Sequence, residues 1–271
     1  MDLGLKNRVA FIAGASSGLG RATARALLSE GCHVAICSRS SERIQCAAMD
    51  LARDTGVPDD RVLPLVCDVT DEDMVRTAVG RAADHFGGLN ILITNAGGPP
   101  TGTVLDFSAE DWRSALELNL MSTINLTRAA LPFLKESAKA DRPLARILMV
   151  TSISAKQPVA GLYLSNVSRA GVQGFAKSLS EEVGADGITV NTILPGYTRT
   201  DRLTHLSEAL AERRSVSEED IEAGWAGQAA LKRIGREEEF AAAAAFLVSE
   251  PAAYITGVAL PVDGGAIKSL L

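Results

Sequence analysis

The sequence predicts a doubly wound α/β fold: one domain spanning residues 1–271, with a seven-stranded parallel sheet covered by helices on both faces. Three observations carry this expectation. Short runs of continuous apolar character alternate with stretches of helical period along the whole chain, as in strands buried on both faces. The first apolar run passes straight into a glycine turn and a helix. The residues that follow each strand are polar, small or hydroxyl-bearing, as a ligand crevice at the carboxyl ends of such a sheet requires.

The elements follow in order. Val9–Ala13 is the first strand, Gly14, Gly18 and Gly20 form the turn, and Ala22, Ala26 and Leu27 set the period of the first helix. His33–Cys37 is the second strand, with a helix over Ser41–Arg53 after it. Val62–Cys67 is the third, and the helix Thr70–Phe86 opens with a threonine cap and early acids. Ile91–Thr94 is the fourth, then a Gly/Pro loop and one long helix from Ser108 to Leu131. Ala145–Thr151 is the fifth strand, and a helix covers Leu162–Val183. Ile188–Leu194 is the sixth; a polar helical stretch fills Thr200–Gln228, another helix covers Glu237–Val248, and Val258–Val262 is the seventh strand. No linker, repeat or low-complexity tract interrupts the alternation.

Composition excludes several classes. The chain is 46% hydrophobic and 22% charged, with ample core-forming residues. Its net charge of −6, with no basic block, argues against nucleic acid as a partner. The N-terminus lacks the cationic flank of a signal peptide, and the longest apolar run, Phe240–Val248, is too short to span a bilayer. A cytoplasmic protein without a membrane partner is the expectation. Cys32, Cys37, Cys46 and Cys67 lack C-x-x-C spacing and read as reduced, mostly core thiols. His33, His85 and His205 stand singly, so no metal site is expected.

The glycine turn suits a pyrophosphate. Glycine permits the sharp turn and the close approach of a bulky anion, and the helix N-terminus aims unpaired N–H groups at it. The spacing here is G-x-x-x-G-x-G, and taken alone it fits a tight strand-to-helix connection equally well. The segments after the strands supply context: GASSGLG, SRS, DVT, NAGG, SISAK and PGYTRT. The end of the second strand bears on which nucleotide is held. An acid there would bond a ribose 2′-hydroxyl, whereas this chain has Ser38 and Arg39. A guanidinium grips a 2′-phosphate through charge-assisted bonds, and Ser16, Ser17 and Ser40 add donors, so NADP(H) is expected over NAD(H).

Nearly end to end, the chain resembles the short-chain dehydrogenase/reductase family, whose members include 3-oxoacyl-carrier-protein reductases. The resemblance rests on AGASSGLG at 13–20, with Ala13 where the family usually has Thr, on CDVTD at 67–71 and on NAGG at 95–98. It continues with NL at 119–120, PGYTRT at 195–200 and LKRIGREEEF through VDGG at 231–265. It implies a Rossmann domain that moves a hydride between a nicotinamide and a carbonyl or alcohol. It places Gly14, Ser16, Ser17, Gly18, Leu19 and Gly20 at the pyrophosphate, and Asp68 and Val69 beside the adenine. Asn95, Ala96 and Gly97 would wall the adenosine pocket, with Pro195, Gly196 and Thr198 further along the cofactor. It also implies a homotetramer built on the long fourth and fifth helices and the C-terminal strand.

In similar enzymes a Ser, a Tyr and a Lys do the chemistry, with an Asn from the preceding helix. Asn119 and Ser152 fall on the expected positions. The Tyr-x-x-x-Lys pair does not survive: Ser165 stands in the Tyr position and Arg169 in the Lys position, where it would still hold the nicotinamide ribose. Residues four apart share a helix face. Tyr163, six before Arg169, diverges from it by roughly 240° and reaches the site only if it precedes the helix proper. An aliphatic hydroxyl is too weak an acid to replace a phenol of pKa ~10. Lys156 and Lys177 are other bases nearby in sequence.

Two hypotheses follow. One is an NADP(H)-dependent reductase of a carbonyl substrate, a 3-oxoacyl thioester among the options, that polarises the oxygen with Ser152 and Ser165 and takes its proton from water or Tyr163. The other is a catalytically impaired NADP(H)-binding protein acting as sensor or partner subunit. The segment at about 200–233 reads as the lid and specificity region. Its Leu203, Leu206, Leu210, Ile221 and Trp225 make either a substrate wall or the buried stripe of amphipathic helices, and Arg213 and Arg214 a solvated face.

Overall fold

The structure, a computed structural model, describes residues 1–270 apart from the side chain of Ala209. Its strands are β1 (Val9–Ala13), β2 (His33–Ser38), β3 (Val62–Val66), β4 (Ile91–Thr94), β5 (Ala145–Val150), β6 (Ile188–Pro195) and β7 (Ala259–Val262). They form one sheet in the order β3-β2-β1-β4-β5-β6-β7, with every neighbouring pair parallel. The chain winds outward from β1 to β3 and returns to place β4 on the other side of β1. That reversal opens a crevice beyond the carboxyl ends of β1 and β4.

The helices are α1 (Gly18–Ser29), α2 (Ser41–Thr55), α3 (Glu72–Phe86), α4 (Ala109–Leu116), α5 (Ser122–Ala138), α6 (Tyr163–Val183), α7 (Asp201–Arg214), α8 (Glu218–Gln228) and α9 (Glu237–Leu247). Alternation along each strand sends side chains to opposite faces. Ala10 and Ile12 of β1 join Leu27, Ile44, Leu51 and Phe240 from α1, α2 and α9 in one core. Val9 and Phe11 join Val79, Leu126, Leu134 and Val172 from α3, α5 and α6 in the other. Each fully buried Leu, Ile or Phe there contributes about 1.5–3 kcal/mol. The sheet is therefore clamped on both sides, and the loops at its carboxyl end are free to carry a site.

Four expectations about elements are corrected. The single helix expected over Ser108–Leu131 is α4 and α5 joined by a π-helical turn, Glu117–Met121, where the Ser122 N–H donates to Glu117 O rather than one turn back. The polar stretch Thr200–Gln228 is two helices, because Ser215 takes a left-handed φ of 55° and Ser217 caps α8 in a box with Asp220. Asp71, not Thr70, caps α3, accepting from the Asp73 and Met74 N–H groups, while the Thr70 hydroxyl donates to Asp68 Oδ1 at 2.8 Å. The seventh strand begins at Ala259. Among the described residues no helix is long and apolar enough to cross a membrane, and no group of three or more His, Cys, Asp or Glu could hold a metal ion. Cys32, Cys37 and Cys67 are buried, and Cys46 is exposed on α2.

Candidate active site

The glycine turn is built to leave room. Gly14 and Gly18 take φ of 60° and 58°, the left-handed region that side chains avoid. A Cβ on Gly20 would lie 2.5 Å from Gly14 O, so only hydrogen permits α1 to start this close to the end of β1. Asn95, just past β4, donates from Nδ2 to Gly14 O at 3.0 Å and fixes the turn from the neighbouring strand. Ser17 is the N-cap of α1, yet its hydroxyl makes no capping bond. A free hydroxyl, a bare helix N-terminus and a cradle that a Cβ would fill together fit the pyrophosphate of a dinucleotide.

This turn opens into a cleft of about 600 Å³ along the carboxyl ends of the strands. Of the residues expected to hold a cofactor, Gly14, Ser17, Gly18, Leu19, Asn95, Ala96, Gly97, Arg169, Pro195, Gly196 and Thr198 line it. Ser16, Gly20, Ser38, Arg39, Asp68 and Val69 are not among the lining residues. Ser38 ends β2, and its hydroxyl donates to Ser40 O at 3.2 Å. Arg39 follows it, exposed at the same edge. Asp68 is held after β3, its carboxylate accepting from the Thr70 N–H at 3.0 Å.

At the other end of the cleft stand Ser152, Ser165 and Arg169. Ser152 follows β5 and caps a single turn, its Oγ accepting from the Ser154 N–H at 3.1 Å. Ser154 Oγ lies 3.0 Å from Ser165 Oγ on α6, a buried hydroxyl pair. Arg169, one turn further along α6, is 7% exposed and has no carboxylate partner among the described residues. It donates from Nη1 to Val150 O at 2.9 Å and from Nη2 to Ala96 O and Gly97 O at 3.4 and 3.3 Å. Burial, and secondarily the charge of Arg202, push its pKa down to about 10, so it stays cationic at neutral pH.

Asn119 sits in the π-helical turn, which redirects its side chain so that Nδ2 donates to Gly97 O at 3.2 Å. Asn119 and Arg169 thus converge on the same carbonyl. Asn119 Oδ1 and Arg169 Nε are buried without a partner among the described residues.

Tyr163 does not join them. It begins α6, is 44% exposed and is absent from the cleft lining, so the condition for its reaching the site, that it precede the helix, is not met. The helix already includes it, and six residues of α-helical rotation carry it away from the face of Arg169. Lys156 and Lys177 are exposed and outside the lining, Lys177 facing Glu181 at 3.9 Å. Of the apolar residues at 200–233, Leu203 and Leu206 face the cleft, while Leu210, Ile221 and Trp225 pack with Tyr197 in a small core between α7 and α8.

Arg202, in the first turn of α7, was not singled out by the sequence. Its guanidinium rests on Gly98, where any Cβ would overlap Nη2, and it lines the cleft. No local pattern marks it, since its reach to Gly98 depends on how α7 folds over the sheet.

The chain matches the family model described as enoyl-(acyl carrier protein) reductase over residues 14–266. A 3-oxoacyl-[acyl-carrier-protein] reductase of Vibrio cholerae is 34% identical over 263 residues, covering 97% of this chain and 98% of the relative. A dehydrogenase/reductase SDR family member 4 of Oryctolagus cuniculus is 33% identical over 98% of this chain and 96% of its own. Among solved structures, L-sorbose reductase from Gluconobacter frateurii, complexed with NADPH and L-sorbose, aligns with a TM-score of 0.92 at 34% identity, covering all of both chains.

Proposed function

The chain belongs to the short-chain dehydrogenase/reductase family, and from that premise we propose that it is an NADP(H)-dependent oxidoreductase acting on a carbonyl or alcohol group. The observation that carries this reading is continuity. One cleft joins a pyrophosphate cradle to two hydroxyls and a buried cation, and Asn119, outside the lining, shares the Gly97 carbonyl with that cation. The 3-oxoacyl reductase and the NADPH-bound sorbose reductase similar to this chain support the same chemistry.

NADPH bound there supplies the hydride. The start of α1 and Ser17 hold its phosphates, and exposed Arg39 with Ser38 takes the 2′-phosphate. As the family resemblance implies, Asp68 and Val69 would flank the adenine, Asn95 to Gly97 would wall the adenosine, Arg169 would face the nicotinamide ribose with the donors its carbonyl bonds leave, and Pro195, Gly196 and Thr198 would lie further along the cofactor. Ser152 donates to the reacting oxygen, and Ser165 assists it through a hydroxyl already oriented by Ser154. Arg169 adds fixed positive charge where an oxyanion develops. Its guanidinium does not exchange a proton near neutrality, so water delivers the proton. Residues 200–233 close over the substrate, with Leu203 and Leu206 as its apolar wall. A 3-oxoacyl or similar carbonyl compound is the substrate class, as the similarity to 3-oxoacyl reductases supports.

A second reading, an NADP(H)-binding protein with little turnover, is favoured by one observation. No tyrosine, histidine, lysine or cysteine is among the residues lining the cleft. Following NADPH absorbance over a panel of ketoacyl thioesters, diketones, quinones and aldehydes separates the two. Turnover of any member establishes the enzyme. NADPH binding with no turnover across the panel supports the binding protein.

We also propose a homotetramer. Tyr163 and Val167, four apart on α6, expose 44% and 49% of their surfaces, and Tyr254 and Val258 beside β7 are exposed as well. Apolar surface of this kind on a helix and an edge strand suits burial against further copies of the chain.

A further inference from the structure

Two guanidinium groups face the substrate end of the cleft. Three of the five N–H groups of Arg169 are committed to the carbonyls of Val150, Ala96 and Gly97, and its Nε is buried and unpartnered among the described residues. The guanidinium of Arg202 lies on Gly98, one residue beyond the Gly97 carbonyl that Arg169 holds. Arg202 is exposed and makes no hydrogen bond and no ion pair among the described residues, and partial desolvation at the cleft lowers its pKa. Burial first, and the nearby charge of Arg202 second, lower the pKa of Arg169. Asp201 also lines the cleft, but its charge acts on Glu237 at the start of α9, whose carboxyl it helps to raise. An unpaired fork of five donors at the cleft, exposed and beside a second, buried cation, is an unbalanced arrangement that a carboxylate completes with paired, charge-assisted bonds.

We propose that Arg202 is a specificity-determining residue that binds a carboxylate on the carbonyl substrate, so that the preferred substrates are oxo acids rather than neutral ketones. The proposal rests on the reading of the cleft as an oxidoreductase site. The cradle for phosphates lies at Gly14 to Gly20 and the start of α1, whereas Arg202 rests on Gly98 beside Pro99, Leu203 and Leu206.

The test is calorimetric titration of the natural protein, with and without saturating NADP⁺, using pyruvate, acetoacetate and levulinate, each against its methyl ester. The three acids vary the distance between carbonyl and carboxylate. At least one acid should bind about tenfold tighter than its ester or more, a margin that shrinks as salt is added. In Arg202→Gln that preference should fall to about unity while NADP⁺ affinity stays within about twofold, and Arg202→Lys should restore part of the preference. Equal binding of every acid and its ester overturns the proposal. So does an acid preference that survives Arg202→Gln. A loss of NADP⁺ affinity in Arg202→Gln with no acid preference to lose assigns the guanidinium to the dinucleotide phosphates instead. Failure of the natural protein to bind NADP⁺ refutes the dinucleotide reading, and the acid-against-ester comparison on the unloaded protein still decides the anion site.

Discussion

Restoring a phenol and an ammonium to α6, as Ser165→Tyr/Arg169→Lys, should raise the rate of carbonyl reduction steeply while lowering stability. The stability loss follows from the contacts removed. The buried Ser154–Ser165 hydroxyl bond at 3.0 Å is worth about 1 kcal/mol. Replacing the Arg169 fork with a single ammonium leaves at least one of the carbonyls of Val150, Ala96 and Gly97 without its donor, another ~1–2 kcal/mol. Room for the ring exists, because Ser165 borders a cleft of about 600 Å³. Against a loss of about 2–3 kcal/mol stands a positioned general acid, which contributes about 10²–10⁴-fold, or ~3–5 kcal/mol of barrier. The assay is single-turnover oxidation of bound NADPH with a ketone in excess, followed across pH. The variant should gain about 100-fold or more, and its rate should fall on the alkaline side as the phenol ionises. The natural protein, drawing its proton from water, should show no such limb. A variant that binds NADPH as the natural protein does yet gains less than about threefold would refute the reasoning, because the missing phenol would not be what limits the rate.

Four further outcomes are expected. Arg39→Asp should weaken NADPH by about 100-fold and strengthen NADH, read by fluorescence titration; an unchanged preference would remove Arg39 from the 2′-phosphate. Gly20→Ala puts a Cβ 2.5 Å from Gly14 O, so it should lower the unfolding midpoint by several degrees and abolish dinucleotide binding. Glu239 is held at about 2, below its ordinary 4.5, chiefly by paired bonds from Arg233 at 2.6 and 2.8 Å. Its depressed pKa stabilises the fold above pH 4.5, and this is lost as pH falls towards about 2; in Arg233→Met the carboxyl should titrate nearer its ordinary value by NMR and that acid-side loss should shrink. Tyr163→Glu/Val167→Glu should reduce the mass measured by light scattering if α6 builds the oligomer, and an unchanged mass would move the interface elsewhere.

Features of the site that depend on local chemistry were legible in the chain. The alternation of apolar runs and helical periods sets the parallel sheet, because strand burial and helix amphipathicity are written within single segments. The glycines at 14, 18 and 20 read as a cradle because backbone freedom belongs to the residue type. Ser38 and Arg39 at the end of β2, and the exchange of Tyr and Lys for Ser165 and Arg169, are likewise visible residue by residue.

The tertiary structure decided what depends on contacts between segments distant in sequence. A π-helical turn, packed against α6, aims Asn119 at Gly97 O, where a regular helix had been expected. Ser154, which no motif marks, meets Ser165 across the gap between β5 and α6. Tyr163 faces away because α6 starts early enough to include it. Arg202 reaches Gly98 only because α7 folds back over the carboxyl ends of the strands. Local preference sets which elements form and which residues they carry. The direction in which a side chain points, and what it meets there, is set by burial and charge summed over the whole fold.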